Sequence, residues 1–141
     1  MAREVTPSDL VITPRDRRFG RGTRTDRWWN GGDPVATALY NALSATFPRG
    51  EAFFVESVRL FREGANPKLA AEIKAFTTQE VMHSREHIQF NKRAHEAGYD
   101  LTSLEKRAEW RLSLVRERAP IASLAATMAL EHFTAILAHE L

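Results

Sequence analysis

The sequence predicts an all-α helical bundle that follows an irregular N-terminal arm. Two cap-plus-proline pairs, Asp33-Pro34 and Asn66-Pro67, each open a long stretch in which apolar residues recur every three or four positions. No stretch shows the apolar–polar alternation of a β-strand. The 141 residues are 43% hydrophobic and 27% charged, which is enough apolar material for the core of one domain.

The arm comprises residues 1–32, which carry several prolines and glycines and show no sustained periodicity. It contains six arginines: Arg15, Arg17, Arg18, Arg21, Arg24 and Arg27. Because Asp16 and Asp26 lie among them and the net charge is only +2, we interpret this segment as a solvated arm. Nucleic acid is therefore not an expected partner. Trp28 and Trp29 close the arm, and we expect them to pack it onto the body.

The bundle domain is predicted to span residues 33–141. Its first helix should run from Pro34 to about Phe47, where "FPRGE" interrupts it, since Pro48 removes a backbone donor and Gly50 is a weak helix former. Helix should resume at Glu51 and end near Glu63, before a glycine.

Three further helical boundaries are readable. The Asn66-Pro67 pair opens a long helix to about Ala97, with Gly98 as its stop signal. Thr102-Ser-Leu-Glu105 has the spacing of a capping box and starts a helix that ends near Ala119. Pro120 then begins the last helix, which runs to the end of the chain.

Composition restricts the chemistry and the compartment. The chain has no cysteine, so disulfides and thiolate metal sites are excluded, and a reducing cytoplasm is the expected location. The N-terminus lacks the continuous apolar region of a signal peptide. No stretch approaches about 18 consecutive apolar residues, so we expect no membrane span.

The informative feature is an ionisable side chain inside each of three apolar stripes. Residues spaced alternately three and four apart share one face of a helix. Along the second predicted helical segment, counted from Phe47 just before it, this face consists of Phe47, Glu51, Phe54, Val58 and Phe61. In the long helix it consists of Leu69, Ile73, Phe76, Glu80, His83, His87 and Phe90. In the last helix it consists of Ile121, Leu124, Met128, Glu131, Ala135 and Ala138.

Three buried carboxylates require a shared compensating charge. An isolated ionised carboxylate in a core costs several kcal/mol even after relaxation. The stripes contain no lysine or arginine, whereas a metal ion could neutralise Glu51, Glu80 and Glu131 together, with histidines as neutral ligands. The alternative is that these glutamates are solvated and the faces are assigned wrongly.

The spacing matches part of a di-metal bundle site. Such sites take one glutamate from each of two helices and a Glu-x-x-His pair from each of two others. Glu51 and Glu131 are the single carboxylates and Glu80-x-x-His83 is one pair, but no second pair is present. Because "TAILAHEL" stops in mid-helix, we expect either a missing further helix or a homodimer that completes the site. His132 and His139 lie on a neighbouring face and are interpreted as buried, hydrogen-bonded histidines rather than outer-sphere groups.

A second motif overlaps the first. His83-Ser-Arg-Glu86-His87 fits H-x-x-E-H, in which two histidines one turn apart bind a single Zn²⁺ and the glutamate is the general base. This five-residue match is short and leaves Glu51 and Glu131 without a role. His87 could also be an additional ligand in the carboxylate site, because it lies one turn beyond His83.

Three stretches, "RWWNGGDPVATALYNALSATFPRGEAFFVESVR", "EIKAFTTQEVMHSREHIQFN" and "TMALEHFTAILA", together resemble the family of predicted metal-dependent hydrolases. The resemblance covers nearly the whole chain. It implies a ferritin-like helical bundle, with Glu51, Glu80, His83 and Glu131 at the family's acidic and histidine positions. It also implies longer relatives with a later Glu-x-x-His-like cluster, which this chain lacks.

The function expected from these observations is a metal-dependent hydrolase acting on an unidentified small molecule. The resemblance favours hydrolysis, and carboxylate-rich, thiolate-free ligation favours Fe or Mn, with Zn also compatible. The alternatives are a di-iron oxidoreductase that activates O₂, a non-catalytic metal-binding bundle, and the H-x-x-E-H zinc hydrolase with Glu86 as its catalytic base.

Overall fold

A computed structural model describes residues 7, 9–19, 22 and 25–140, so Arg21 and Arg24 lie outside the described residues. The described part contains four helices and no strand: α1 (Pro34–Arg59), α2 (Pro67–Glu96), α3 (Thr102–Arg116) and α4 (Pro120–Glu140). The predicted all-α class is confirmed. The described residues of the arm form neither helix nor strand.

The two cap-plus-proline signals act as predicted. Asp33 Oδ1 accepts hydrogen bonds from Val35 N at 2.8 Å and Ala36 N at 3.1 Å, and Asn66 Oδ1 accepts from Leu69 N at 2.8 Å. These side chains satisfy backbone donors that the first turn leaves without partners.

The end of α2 is also as predicted. Gly98 has a φ of 91°, which the absence of a Cβ permits. Gly98 N bonds to His95 O at 2.9 Å and Tyr99 N bonds to Ala94 O at 3.0 Å. This pair of hydrogen bonds is a Schellman motif, which satisfies carbonyls of the last turn.

The start of α3 differs from the prediction. Thr102 is the first helical residue, and its predecessor Leu101 offers no side-chain cap. Asp100 takes that role, because its Oδ1 accepts from Thr102 N at 3.0 Å, and this contact with Thr102 lowers the pKa of the aspartate. The capping-box spacing therefore located the helix start but assigned the cap to the wrong residue.

The predicted break at Pro48 is wrong, since α1 is continuous from Pro34 to Arg59. A proline within a helix leaves the carbonyl four residues earlier without its usual donor. That carbonyl belongs to Ser44, and Asn91 Nδ2 of α2 donates to it at 3.1 Å. The orphaned acceptor is thus satisfied from the neighbouring helix, and α1 delivers Glu51 one turn beyond the proline.

Helix α1 is the centre of the bundle. It packs against each of the other helices, and α3 also packs against α4, whereas the described backbones of α2 and α4 make no close approach. Two small apolar clusters form the core. One contains Ala45, Ala94 and Leu101, and the other contains Phe53, Phe54 and Leu112. Between them the α1–α2 interface is polar.

The predicted core face of α4 is wrong. Ile121 is 61% exposed and Met128 is 66% exposed, while the buried residues of α4 are Ser123 and Thr127. Thr127 Oγ1 and Ser57 Oγ lie 2.7 Å apart and share a hydrogen bond. Apolar residues lie almost all round α4, so hydrophobicity alone does not determine which side of the helix faces α1. Small polar residues determine it, because they allow the two helices to approach closely.

Helix α4 also has the length and composition of a membrane-spanning helix, with a mean hydropathy of 1.5 over its most apolar window. We expected no such segment, because charged and polar residues interrupt the apolar run. Only 11% of that window is buried inside the bundle. Helices of many soluble proteins have this composition, so the expectation of no membrane span stays a prediction.

The arm lies along α2. Lys68 Nζ donates to Pro7 O at 2.7 Å, Arg85 pairs with Asp16, and Arg93 donates to Phe19 O at 3.2 Å. The predicted packing role of the tryptophans is confirmed, because Trp28 and Tyr99 pack edge-to-face and Trp29 packs edge-to-face on Phe90. Trp29 Nε1 also donates to Asn41 Oδ1 at 3.0 Å. These contacts hold the arm against the bundle.

Asn91→Ala should destabilise the protein by about 1–3 kcal/mol, because it leaves Ser44 O buried without a donor. In a Pro48→Ala background the same change should cost at least about 1 kcal/mol less, since the backbone N–H that proline lacks is then restored. Urea unfolding followed by circular dichroism measures both. Equal costs in the two backgrounds would contradict this account of α1.

Candidate metal centre

Two buried carboxylates face each other across the α1–α2 interface. Glu51 and Glu80 are each only 3% exposed. Together with His83 they form a group in which one ligand atom from each residue lies within 4.8 Å of the others. Spacings of this size are bridged by one or two metal ions, whose bonds to oxygen and nitrogen are about 2.0–2.2 Å long.

Glu51 is the most constrained member of the group. Burial, followed by the charge of Glu80, raises its pKa to about 8, although a hydrogen bond with Ser84 opposes this shift and Glu131 adds to it. Its Oε2 is buried and has no hydrogen-bond partner. A buried carboxylate oxygen of this kind is an acceptor that a cation would satisfy.

Glu80 is a second buried carboxylate with a raised pKa, and it lies on α2. Burial raises its pKa to about 7, and the charge of Glu131 contributes. Glu131 itself is half-buried on α4, and burial raises its pKa as well. Glu131 is not part of the 4.8 Å group, but it is close enough to act electrostatically on both other glutamates. The structure therefore brings together all three predicted carboxylates, with Glu131 at the edge.

His83 is the exposed member of the group. Its side chain is 55% exposed, and its Nδ1 lies 3.8 Å from Glu80 Oε1. Partial burial lowers its pKa, which favours the neutral imidazole that metals bind. The site is thus enclosed by Glu51 and Glu80 and open to solvent at His83.

His87 has a defined tautomer. Asn91 Nδ2 donates to Ser44 O, so Asn91 Oδ1 is the atom that accepts from Ser44 Oγ at 2.7 Å. Because the Ser44 proton is used in that bond, His87 Nδ1 must donate to Ser44 Oγ, 2.9 Å away. Nε2 of His87 is therefore the nitrogen without a proton. Its ring stacks on Phe47 at 4.4 Å, and burial lowers its pKa to about 4.

Glu86 is occupied by other contacts. Its Oε1 accepts from Arg85 Nε at 2.8 Å and its Oε2 accepts from Phe19 N at 3.0 Å. The bond from Phe19 ties the glutamate to the arm, and the bond from Arg85 pairs it with an arginine of α2. The catalytic role that the H-x-x-E-H pattern assigns to it stays a prediction, and it would require one of these bonds to break.

His132 and His139 do not contribute to the group. Both are exposed, so the expectation that they are buried is wrong. His139 Nδ1 lies 3.3 Å from Glu140 Oε1, near the end of α4. His132 lines a second pocket beside Glu131 and Val58, but it supplies no atom to the group.

Three polar neighbours of the site were not predicted: Ser44, Ser84 and Asn91. Ser84 follows Glu80 by one helical turn, so its position on the Glu80 face was readable from the sequence. No sequence pattern indicated the Ser44–Asn91 pair, because the two residues come from different helices. Their hydrogen bond is needed because Pro48 leaves the Ser44 carbonyl without its helical donor.

The metal-free protein should lose stability as pH rises from about 5 to about 8.5. Glu51 and Glu80 hold their protons when folded up to pKa values of about 8 and about 7, whereas an unfolded glutamate releases its proton near 4.5. The contribution is fully present below pH 4.5 and disappears as pH passes the folded values. Thermal unfolding at pH 5.5 and 8.5 in EDTA measures the effect.

Glu51→Gln should remove much of this pH dependence, and the exposed Glu63→Gln should retain it. A wild-type protein that is equally stable at both pH values would show that the two carboxyl groups are solvated.

His87 should carry its proton on Nδ1 and remain neutral down to about pH 5, since its pKa is about 4. Long-range ¹H–¹⁵N NMR distinguishes the two ring nitrogens, and His87→Gln identifies the signal. A protonated Nε2 at pH 7 would contradict the hydrogen-bond chain through Ser44 and Asn91.

Comparison with known proteins gives one family match. No curated protein and no solved structure matches the chain. The sequence profile of a family described as "predicted metal-dependent hydrolase" matches residues 13–141, which include every residue of the centre. The chain therefore belongs to the predicted metal-dependent hydrolase family.

Proposed function

We propose that the protein is a hydrolase that binds one or two divalent metal ions at Glu51, Glu80 and His83, with Glu131 as a further carboxylate ligand. Family membership supports the reaction class, and the Glu/Glu/His group supports metal binding. The observation that carries the proposal is the buried Glu51 Oε2 without a hydrogen-bond partner, within reach of Glu80 and His83.

The residues present fit a metal ion better than a salt bridge to lysine or arginine. In the described structure neither Glu51 nor Glu80 has a lysine or arginine partner, and the ion-pair contact of Glu80 is with His83. A divalent cation would offset the burial and the neighbouring carboxylate charges that raise both pKa values, and it would supply a partner for Glu51 Oε2. Burying these carboxylates is costly without such compensation.

The ligand set favours hard or borderline metals. Carboxylate oxygens with one imidazole and no thiolate suit Fe or Mn, and Zn is also compatible. Bound there, the cation would make water acidic enough to be a nucleophile near neutral pH and would polarise an oxygen of the substrate. Ser84 would hold Glu51 in position through its hydrogen bond.

His87 is placed to accept a hydrogen bond beside this centre. Its Nδ1 is held by Ser44, which leaves Nε2 as the basic atom. Both His87 and His83 line one large cavity. We infer that His87 Nε2 accepts a hydrogen bond from the attacking water or from the substrate and orients it, because a pKa of about 4 leaves the ring neutral and weakly basic near pH 7. It would do so with its ring fixed by Phe47 and Ser44.

Oxidative chemistry at a di-iron pair is the alternative for the same ligands. Family membership favours hydrolysis, and the ligand set by itself accommodates both reactions. The expectation that a second subunit completes the site, and the ferritin-like comparison, both stay predictions.

Purified wild-type protein should contain bound metal by elemental analysis, and Glu51→Gln or Glu80→Gln should lower the metal content at least tenfold. At pH 8.5 the metal-free Glu80→Gln variant should be as stable as wild type or more stable, because above the pKa of about 7 it removes an uncompensated buried charge. Urea unfolding in EDTA measures that stability.

The matched control is Glu63→Gln, an exposed glutamate beyond the end of α1, which should keep full metal content. Metal-free Glu80→Gln that loses more than about 2 kcal/mol would assign Glu80 a structural role instead. Rapid O₂ consumption on adding Fe²⁺, with no cleavage of esters or phosphodiesters, would reject hydrolysis in favour of oxidation.

A further inference from the structure

A large apolar cavity opens beside the metal centre. Its volume is about 780 Å³, and it is bounded by α1, α2, the end of α4 and the arm. Aromatic rings form much of its wall, namely Trp29, Tyr40, Phe47 and Phe90. Cavities of this size and apolar character bind small molecules.

The cavity is joined to the metal centre by His83. This histidine belongs to the metal-ligating group and also lines the cavity, as does His87. A molecule in the cavity would therefore contact the open side of the centre. The apolar wall would hold its body and the two histidines would face the bond that reacts.

The charged groups around the cavity are predominantly positive. Arg15, Arg17 and Arg93 line it, and the acidic residue among its lining, Glu86, is neutralised by Arg85. In the described structure no carboxylate forms an ion pair with any of those three lining arginines. Arginine guanidinium groups bind carboxylates and phosphates through charge-assisted hydrogen bonds.

The arm is what brings two of these arginines to the cavity. Arg85 donates to Arg17 O at 3.1 Å, and Phe19 N donates to Glu86, so the backbone between Arg15 and Phe19 is held along α2. Arg93 contributes from α2 itself, ten positions after His83. The positive groups and the metal-facing histidines are therefore different parts of one cavity wall.

We propose that the cavity binds an amphipathic anion as substrate: an apolar chain or ring that carries a carboxylate or phosphate at one position and the hydrolysable bond at another. The identity of the ligand as a substrate rests on the proposed function. The arginines select the anion, the aromatic wall holds the apolar body, and the reacting bond lies at His83.

The test is calorimetric binding to the full chain in EDTA, so that metal does not contribute. Decanoate, decyl phosphate and uncharged decanol are titrated below their aggregation concentrations. At least one of the two anions should bind about tenfold or more tightly than decanol, and the tighter of the two identifies the preferred headgroup. Decanol binding as tightly as both anions would overturn the proposal.

Variants then locate the binding. Arg17→Gln and Arg93→Gln should each weaken anion binding roughly threefold to tenfold and leave decanol unchanged. Arg107→Gln, an exposed arginine on α3, removes the same charge outside the cavity and should have no effect. Equal effects of Arg17→Gln, Arg93→Gln and Arg107→Gln would reject the arginine assignment.

Leu137→Trp fills the cavity from α4 and should weaken both the anions and decanol, and the 39% exposure of Leu137 makes the larger side chain tolerable for folding. Ile121→Trp, at an exposed α4 position outside the cavity, is the control for nonspecific binding to the apolar surface of α4. Unchanged binding in Leu137→Trp would place the ligand elsewhere and overturn the proposal.

The two proposals can fail separately. If the chain binds anions through its arginines but never binds metal, the assignment of the cavity stands and the proposal that the protein is a hydrolase is rejected. Metal binding that depends on Glu51, without anion binding, would keep the metal centre and reject the amphipathic substrate.

Discussion

The structure depends on the burial of two carboxylates against each other. Glu51 and Glu80 come from the two helices that form the main interface of the bundle, and among the described residues neither has a lysine or arginine beside it. A core designed only for stability would place apolar residues at both positions. The apolar clusters at either end of this interface are small, so the polar middle is a large part of what the bundle encloses. A stable state of this chain must therefore provide protons or a cation at this point.

The polar residues around Glu51 and Glu80 hold the neighbouring side chains in one arrangement. Asn91 satisfies the Ser44 carbonyl that Pro48 leaves free, orients the Ser44 hydroxyl, and thereby sets the tautomer of His87. One side chain on α2 therefore controls the path of α1 and the chemical state of a histidine in the cavity. Ser84 performs a similar task for Glu51. A hydrogen-bond network in which every polar group has a partner holds its side chains in one arrangement. Glu51 Oε2 has no hydrogen-bond partner and therefore lies outside such a network.

Much of the fold and the centre of the site could be predicted from local sequence. Caps at Asp33 and Asn66 act within one turn, and the period of 3.6 residues placed Glu51 and Glu80 on buried faces because strong apolar neighbours flank each of them. Pro48 was misread because its compensation comes from another helix. The orientation of α4 was misread because its apolar residues surround the whole helix, so that contact at Ser123 and Thr127 decided which side is buried. The arginines of the arm acquired a place at the cavity only through tertiary contacts with Arg85 and Glu86.

The continuity of α1 through Pro48 has a consequence for motion. The Asn91 amide reaches a single carbonyl, and sliding α1 along α2 by one residue would uncover that carbonyl and separate Glu51 from Glu80 in the same step. The relative register of these two helices is thus locked. Because the centre is open to solvent at His83, an ion that binds there would enter and leave by that side, without any sliding of α1 along α2. Rates of ion entry and release should accordingly depend on the conformation of His83 and not on motion between the first two helices.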